Sequence, residues 1–257
     1  MAWRRGRYGG PSPVHSSLIR TISETGSTNA DLASAVRAGE IVAEGDWIVA
    51  DRQTTGRGRQ GRSWFDGLGN FMGSTVVRLN ERDPAPASLA LMAALALYET
   101  VQPLLSNAAD LKLKWPNDLL LGGAKVAGIL LEREAQAIVV GIGVNLAIAP
   151  DLTDRRTTAL SRFGPTPDRD LFANSLANHF AREVERWRTY GIEPLVRRWE
   201  TVAHPPGSEL CVNPPGEEQI RGTFAGLTET GALRLRLSSG DERIIHAGDV
   251  MLASEES

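Results

Sequence analysis

The sequence has little sulfur and few of the side chains that bind metals. Its 257 residues include a single cysteine, Cys211, which excludes an internal disulfide framework and a cysteine-rich zinc site. The four histidines are scattered and form no His-x-x-x-His pair, so we expect no dedicated metal cage. A Mg²⁺ ion carried in with a nucleotide stays open. Low cysteine usage suits a reducing compartment, and we expect a cytoplasmic protein.

The sequence also lacks a long apolar run and a large excess of one charge. Its most apolar stretch, residues 89–98, has about half of the roughly 20 residues that span a bilayer, so we expect a buried helix and no membrane partner. The formal net charge of -3 does not favour general nucleic-acid binding. Residues 1–18 are rich in arginine but lack the apolar core of a signal peptide, and we expect an irregular basic tail.

Hydrophobic periodicity predicts an α+β fold. Short or alternating apolar runs indicate strands, and apolar spacing of three and four indicates helices. We expect strands at residues 19–22, 46–50, 71–79, 111–114, 119–121, 125–132 and 137–144, and helices at residues 30–38, 86–105 and 169–200. Gly122-Gly123 lies between two of these strands and indicates a hairpin turn. The main domain is therefore expected to be a mixed β-sheet with helices over residues 19–204.

The chain changes character after residue 204. Pro205-Pro206-Gly207 marks a boundary, and short alternating runs follow at residues 208–212, 219–227, 232–237 and 242–246. Short strands separated by turn residues are typical of small barrels. Residues 205–257 are therefore expected to form a second, small β-barrel domain.

Residues 56–62, Gly-Arg-Gly-Arg-Gln-Gly-Arg, precede Ser63 and Trp64. Glycine leaves the backbone free, and arginine offers a planar fork of donors that matches carboxylate and phosphate oxygens. The run has neither the Gly-Lys-Ser/Thr end of a phosphate-binding Walker loop nor the dinucleotide fingerprint. We expect an anion clamp that becomes ordered around its ligand. The alternatives are a solubilising basic loop and a nonspecific RNA contact.

A second motif ends a predicted strand. In Lys114-Trp115-Pro116-Asn117-Asp118 the proline ends the strand and presents Asn117 and Asp118 at its end, and Lys125 follows seven residues later. These side chains could orient a polar ligand and hold Mg²⁺ near a phosphate, although an Asx turn would also explain them.

The run Gly141-Ile142-Gly143-Val144-Asn145 leaves one strand face without side chains. That face could receive a flat ligand ring or another backbone, and close strand packing is the alternative. Ser27-Thr28-Asn29 is explained by helix capping alone.

Taken together, these motifs resemble those of the bacterial biotin protein ligases (biotin–[acetyl-CoA-carboxylase] ligases). The resemblance covers roughly residues 19–257 and also includes Gln53 and Lys125-Val126-Ala127-Gly128-Ile129-Leu130. It implies a class II synthetase-like biotin/lipoate ligase fold over residues 19–204 and an SH3-like β-barrel over residues 205–257. Fewer than 20 residues precede the first expected strand. The chain therefore resembles the monofunctional form without an N-terminal DNA-binding domain, and we expect no specific DNA binding.

The resemblance implies that biotin and ATP form biotinyl-5′-AMP and that the biotinyl group is passed to a lysine of a biotin carboxyl carrier domain. Around biotin it places Ser27, Thr28, Asn29, Gln53, Arg57, Gly58, Arg59 and Lys125. Near the adenylate it places Arg62, Trp64, Asn117, Asp118 and Asn145. Catalytic roles are expected for Arg59, Lys114, Asp118 and Lys125, with Mg²⁺ bound to ATP.

Two alternative functions are compatible with the sequence. A lipoate ligase or octanoyltransferase would share the fold and the acyl-lysine product. A ligand sensor or nucleic-acid binder would use the basic loop without catalysis, although the acidic net charge argues against it. A homodimer is compatible with the sequence, which does not determine the oligomeric state.

Overall fold

The computed structural model describes residues 17–252, so most of the expected basic tail lies outside the described residues. Seven strands form the main sheet: β1 (Ile19–Thr25), β2 (Trp47–Gln53), β3 (Phe71–Arg78), β4 (Leu111–Lys114), β5 (Asp118–Leu121), β6 (Ala124–Glu134) and β7 (Ala137–Val144). Their order is β1-β2-β3-β7-β6-β5-β4. Only the β1–β2 pair is parallel within this sheet, so the predicted mixed sheet with helices is confirmed.

Four helices cover the two faces of this sheet: α1 (Thr28–Arg37), α2 (Leu89–Val101), α3 (Arg169–Tyr190) and α4 (Ile192–Thr201). On one face α1 packs on Val76, Ala137 and Val139. On the other face α2, α3 and α4 enclose the main apolar core. The helical pattern expected over residues 169–200 forms two helices, because Gly191 with φ 76° ends α3 and begins α4. That backbone conformation suits glycine, which has no Cβ.

The apolar helix is a core element. By length and composition the stretch Pro86–Leu104 could span a membrane, but most of it is buried inside the fold. Short 3-10 turns at Pro86–Ser88 and Gln102–Leu104 flank α2. A helix that is hydrophobic on all sides is typical of such a buried position.

A second sheet follows α4. It contains β8 (Glu209–Asn213), β9 (Ile220–Leu227), β10 (Leu233–Arg236), β11 (Glu242–Ile245) and β12 (Asp249–Leu252), paired antiparallel in the order β11-β10-β9-β8-β12. The last strand was not among those expected, because four residues near the chain end give too short a pattern. Closure of this sheet into an SH3-like barrel stays a prediction, as does the division into domains at residue 205.

The two sheets are fixed to each other by polar and apolar contacts. Trp115 Nε1 donates to the Gly231 carbonyl at 3.0 Å, and Glu200 Oε1 accepts from the Leu227 amide at 2.6 Å. Apolar residues of the second sheet, Phe224 and Leu233 among them, belong to the same buried cluster as the core of the first. The second sheet therefore has a defined position beside the first.

His204 lies in this junction. Leu113, Trp199 and Phe224 surround it together with Lys114, and its buried Nε2 has no hydrogen-bond partner among the described residues. Burial, reinforced by the charges of Lys114 and Lys112, lowers the pKa of His204 to about 4. The imidazole is therefore neutral in the folded protein at pH 5–7.

This lowered pKa predicts a pH-dependent stability. Between the ordinary pKa of 6.5 and the folded value of about 4, the unfolded chain binds a proton that the folded chain does not, so stability falls as the pH drops through this window. Between pH 7 and pH 5, wild-type Tm should fall further than that of His204→Gln by about 2–4 °C. Thermal unfolding followed by circular dichroism measures the difference.

The matched control is His246→Gln, which removes an exposed histidine that directly follows β11. That variant should keep the wild-type pH dependence. The same slope in wild type and His204→Gln would contradict the assignment.

Candidate active site

A cavity of about 520 Å³ lies on the α1 face of the main sheet. It begins where α1 stops covering β7, since Gly141 and Gly143 follow Ala137 and Val139 on the same face. The start of α1, the loop after β2, strands β3, β5, β6 and β7, and β12 of the second sheet all contribute to its lining. Several separate parts of the chain therefore meet at one place.

One end of the cavity carries a chain of hydrogen bonds between buried polar side chains. Ser74 Oγ donates to Asn29 Oδ1 at 2.6 Å and lies 2.7 Å from Thr28 Oγ1. Gln53 Oε1 accepts from the Thr28 amide at 2.7 Å. All four residues are less than 8% exposed, and all line the cavity. Buried polar groups of this kind suit a ligand that offers hydrogen bonds of its own.

The glycines of β7 make room for two side chains of the protein itself. A Cβ on Gly141 would lie 2.2 Å from Asn29 Oδ1, and a Cβ on Gly143 would lie 2.2 Å from Trp64 Cε2. The bare face expected to receive a ligand ring or a backbone is thus covered by the Asn29 amide and the Trp64 indole. Trp64 lines the cavity and its buried Nε1 has no hydrogen-bond partner among residues 17–252.

A cluster of charges lies beside Trp64. Lys125 Nζ is 2.5 Å from Asp118 Oδ1, and Lys114 Nζ is 3.9 Å from Asp118 Oδ2. Burial alone would raise the pKa of Asp118, but the charges of Lys125 and Lys114 and the Lys125 hydrogen bond outweigh it and hold that pKa below its ordinary value. Asp118 is therefore an ionised counter-charge for the two lysines.

A β-bulge turns Lys125 into the cavity. Leu119 pairs with Ala127, but Leu120 pairs with Lys125, so the register between β5 and β6 shifts by one residue. Because side chains alternate along a regular strand, Lys125 and Gly128 would otherwise lie on opposite faces. Instead, a Cβ on Gly128 would lie 3.1 Å from Lys125 Nζ.

The glycine–arginine segment, residues 56–62, is folded over the cavity. Backbone pairing of Arg57 with Ser63 forms its base. Arg59 Nη1 donates to Asn117 Oδ1 at 3.1 Å and to the Gly248 carbonyl at 3.4 Å. Burial lowers the pKa of Arg59, an effect that the charge of Asp118 opposes, and the guanidinium stays charged at neutral pH.

The same segment is tied to the second sheet. Arg62 forms an ion pair with Asp249 of β12 and donates to Gln60 Oε1 at 2.9 Å. Gln60 has φ 56°, a left-handed conformation that few residues other than glycine adopt without strain. The glycine–arginine segment, which is the clamp predicted from the sequence, is therefore held over the cavity by contacts with the second sheet.

Asn145 presents an unpaired acceptor. Its Nδ2 donates to the Thr158 carbonyl at 3.1 Å, while its buried Oδ1 has no hydrogen-bond partner within the described part of the chain. Asn145 lines the cavity and is 3% exposed. A buried acceptor left unpaired is costly unless a ligand or water satisfies it.

All but one of the predicted site residues line this cavity, and the exception is Lys114. Lys114, for which a catalytic role was expected, instead lies beside Asp118, with its Nζ 3.9 Å from Asp118 Oδ2. Lining residues that the sequence reasoning did not single out include Ser74, Leu152, Asp154, Arg155 and Asp249. None of these belongs to a glycine-rich or proline-broken motif, and only the strand pairing and the fold of residues 150–157 bring them to the site.

The described residues, 17–252, contain no cluster of three or more His, Cys, Asp or Glu that could hold a metal ion. Asp118, a carboxylate that lines the cavity, is already shared by two lysines. The protein side chains at this site thus form anion-binding and hydrogen-bonding groups.

Two family models match the chain. The biotin/lipoate A/B protein ligase family matches residues 25–147, and the biotin protein ligase C-terminal domain matches residues 212–252. The chain is 39% identical to the biotin–[acetyl-CoA-carboxylase] ligase of Paracoccus denitrificans over 240 residues, covering 89% of this chain and 98% of that protein. It is 34% identical to the enzyme of the same name from Mycobacterium tuberculosis, covering 91% and 88%.

Solved structures show the same fold. The biotin protein ligase from Aquifex aeolicus in complex with biotin and ATP superposes with a TM-score of 0.80 at 25% identity, covering 92% of this chain and 99% of that one.

The tie between Arg62 and Asp249 can be tested by proteolysis. Asp249→Asn removes the counter-charge of Arg62, so the backbone of residues 56–62 should leave the cavity more often and become accessible to a protease. We expect trypsin to cleave within this segment several-fold faster than in wild type, since cleavage follows the population of the open form.

Glu217→Gln is the matched control, because it removes another exposed ion pair of the second sheet, with Arg243. Equal cleavage rates in wild type and Asp249→Asn would contradict the role given to Asp249.

Proposed function

The chain belongs to the biotin protein ligase family, and we propose that its cavity activates biotin with ATP to form biotinyl-5′-AMP, then passes the biotinyl group to a lysine of a biotin carboxyl carrier domain. One observation carries this proposal. A polar, hydrogen-bonding end and a cluster of cationic side chains lie in a single cavity of about 520 Å³. Biotin is built in the same way, with a cyclic urea at one end and a carboxylate at the other.

The polar end is proposed to hold the biotin ring. Ser27, Thr28, Asn29 and Gln53 lie there with Ser74, and these side chains can pair with a urea group. Gly141 and Gly143 are two residues apart, which is about 7 Å along a strand. The carboxylate of biotin would therefore extend past Gly143 towards Lys125, Arg57, Gly58 and Arg59.

Activation requires two anions to meet. The biotin carboxylate is ionised at neutral pH and its oxygen attacks the α-phosphorus of ATP, with pyrophosphate as the leaving group. Arg59 and Lys125 can neutralise the repulsion between carboxylate and phosphate and hold the two groups in line. Asp118 keeps Lys125 in place, and Lys114 supports Asp118 from behind.

The nucleotide is proposed to occupy the side of the cavity that contains Trp64 and Asn145. The indole offers a flat surface and a donor, and Asn145 Oδ1 is an acceptor; neither polar atom has a hydrogen-bond partner among residues 17–252. Arg62, itself part of the clamp, and Asn117, which accepts a hydrogen bond from Arg59 of the clamp, also line the cavity. Each can turn its donors to phosphate or ribose oxygens.

We propose that Mg²⁺ enters with ATP and is held by the phosphates, because the described residues form no metal cage. When bound, the ion would neutralise phosphate charge. The arginines and lysines of the chain then bind the carboxylate and position the phosphate.

The clamp is proposed to protect the intermediate. An acyl-adenylate hydrolyses readily, so water must be excluded until the carrier lysine arrives. In the second step the lysine amine attacks the acyl carbon, the bond to the phosphate oxygen breaks so that AMP leaves, and the amine releases its proton to solvent water. The lowered pKa of Asp118 makes it a weak base, so its proposed part is to attract the incoming ammonium group.

Biotin fits this cavity better than lipoate or octanoate. The dithiolane ring of lipoate and the octanoyl chain cannot pair with Thr28, Gln53 and Ser74. Leaving buried polar groups unpaired in the complex is strongly unfavourable. The names of the two bacterial relatives support the carrier domain of acetyl-CoA carboxylase as the protein substrate, and a cytoplasmic location is proposed with it.

The proposed function is tested by ATP–pyrophosphate exchange with biotin, lipoate and octanoate in turn. We expect exchange with biotin, and at least 100-fold slower exchange with the other two acids, in line with the about 10⁴-fold rejection of ligands that leave a polar site unpaired. Exchange with lipoate or octanoate alone would make the protein a different acyl ligase. Exchange with none of the acids would favour a binding protein without catalysis.

The clamp is tested by Arg59→Gly. Losing the contacts to Asn117 and the Gly248 carbonyl should release biotinyl-5′-AMP early, so that lysines of a bystander protein such as serum albumin are labelled. We expect labelling to rise about tenfold or more, the effect of losing one charge-assisted hydrogen bond.

Arg20→Gly, the same change at an exposed residue of β1, should label the bystander no more than wild type does. Wild-type retention of the intermediate by Arg59→Gly would show that the protection lies elsewhere.

A further inference from the structure

Glu132 contacts the polar end of the cavity from behind. It lies on β6 opposite Val139 of β7, on the face that α1 covers. Its Oε2 accepts a hydrogen bond from Asn29 Nδ2 at 2.7 Å. Glu132 is not among the residues that line the cavity, whereas Asn29 is. It therefore acts on a ligand only through Asn29.

A carboxylate fixes which way an amide side chain points. Both oxygens of an ionised carboxylate accept hydrogen bonds and cannot donate, so the amide of Asn29 must turn its NH₂ group towards Glu132. Asn29 Oδ1 then faces Ser74 and accepts from Ser74 Oγ at 2.6 Å. The charge of Glu132 thus determines the donor and acceptor at the next contact.

The orientation of Asn29 also determines which hydroxyl group donates and which accepts in the next two hydrogen bonds. Ser74 has one proton, and Asn29 takes it, so the 2.7 Å contact with Thr28 Oγ1 requires Thr28 to donate to Ser74. Gln53 Oε1 accepts from the Thr28 amide at 2.7 Å, while the hydroxyl of Thr28 is farther from it at 3.1 Å. Both hydroxyl protons are therefore used within the chain, so Ser74 and Thr28, which both line the cavity, have only oxygen lone pairs left to offer a ligand.

We propose that Glu132 is a positioning residue that makes this end of the cavity an acceptor of hydrogen bonds. The matching ligand group is a donor, and a cyclic urea supplies two N–H groups. The inference rests on biotin being the substrate and adds the residue that sets the direction of its hydrogen bonds. Preorganised acceptors of this kind favour binding because they need no rearrangement when the ligand arrives.

Glu132→Gln is the test, since glutamine has nearly the same shape but can present either an oxygen or an NH₂ group to Asn29. The orientation of Asn29 is then no longer fixed. In ATP–pyrophosphate exchange, KM for biotin should rise about tenfold, the effect of losing one hydrogen bond to the ligand. KM for desthiobiotin, which keeps the urea group, should rise by the same factor, while KM for ATP and kcat stay within about twofold of wild type, a change of less than 0.5 kcal/mol.

The matched control is Glu134→Gln, two residues along the same strand and on the same face, where the carboxylate pairs with Arg37. It should leave KM for biotin unchanged. Equal KM values in the two variants would overturn the proposal, as would a fall in kcat without a change in KM.

A double variant separates hydrogen-bond direction from structural damage. In Asn29→Asp with Glu132→Gln, the carboxylate at position 29 accepts from the glutamine NH₂ group and from Ser74, so the original direction is restored. KM for biotin should return to within about threefold of wild type, a residual of less than 1 kcal/mol. A KM no lower than that of Glu132→Gln alone would contradict the proposal.

Failure of this inference can be told apart from failure of the proposed function. Wild-type protein that shows no exchange with biotin would refute the function itself. Exchange by wild type with no selective effect of Glu132→Gln would refute only the role of Glu132.

Discussion

The whole site depends on two missing Cβ atoms in β7. Gly141 leaves room for the Asn29 amide and Gly143 for the Trp64 indole, and a Cβ at either glycine would lie 2.2 Å from those side chains. In a well-packed interior such an overlap can be relieved only by moving the side chain away. Both glycines line the cavity together with the side chains that they admit. The two glycines therefore allow both the Asn29 amide, at the polar end of the cavity, and the Trp64 indole to pack against β7.

Charge is distributed along the cavity by strand geometry. Lys125 pairs with Asp118 in the lining of the cavity, because a β-bulge turns Lys125 to the face of Gly128. The arginines reach the same space from a segment that is fastened at Asp249, on the other sheet. The second sheet thus contributes to the candidate active site, since Asp249 lines the cavity and contacts the glycine–arginine segment, and the two sheets share one apolar core.

Much of the fold could be predicted from periodicity, and the failures have physical causes. Strands 111–114 and 137–144 were predicted with the bounds that the structure has, because apolar runs between turn residues are strong signals. The break at Gly191 was missed because apolar spacing continues on both sides of it. Strand β12 was missed because four residues give no periodicity, and with it Asp249 was missed as a residue of the site.

The sequence by itself determined the types of side chain and their order: a glycine–arginine clamp, a proline-ended strand with Asn117 and Asp118, and a strand with bare glycines. These are local properties of the chain, because they depend on the backbone freedom and the chemistry of neighbouring residues. Only the tertiary structure decided that Lys125 faces the cavity while Lys114 lies behind Asp118, and that Ser74 and Glu132 continue the polar end. Those placements depend on register, on a bulge and on contacts between residues far apart in the chain, none of which leaves a pattern in a single sequence.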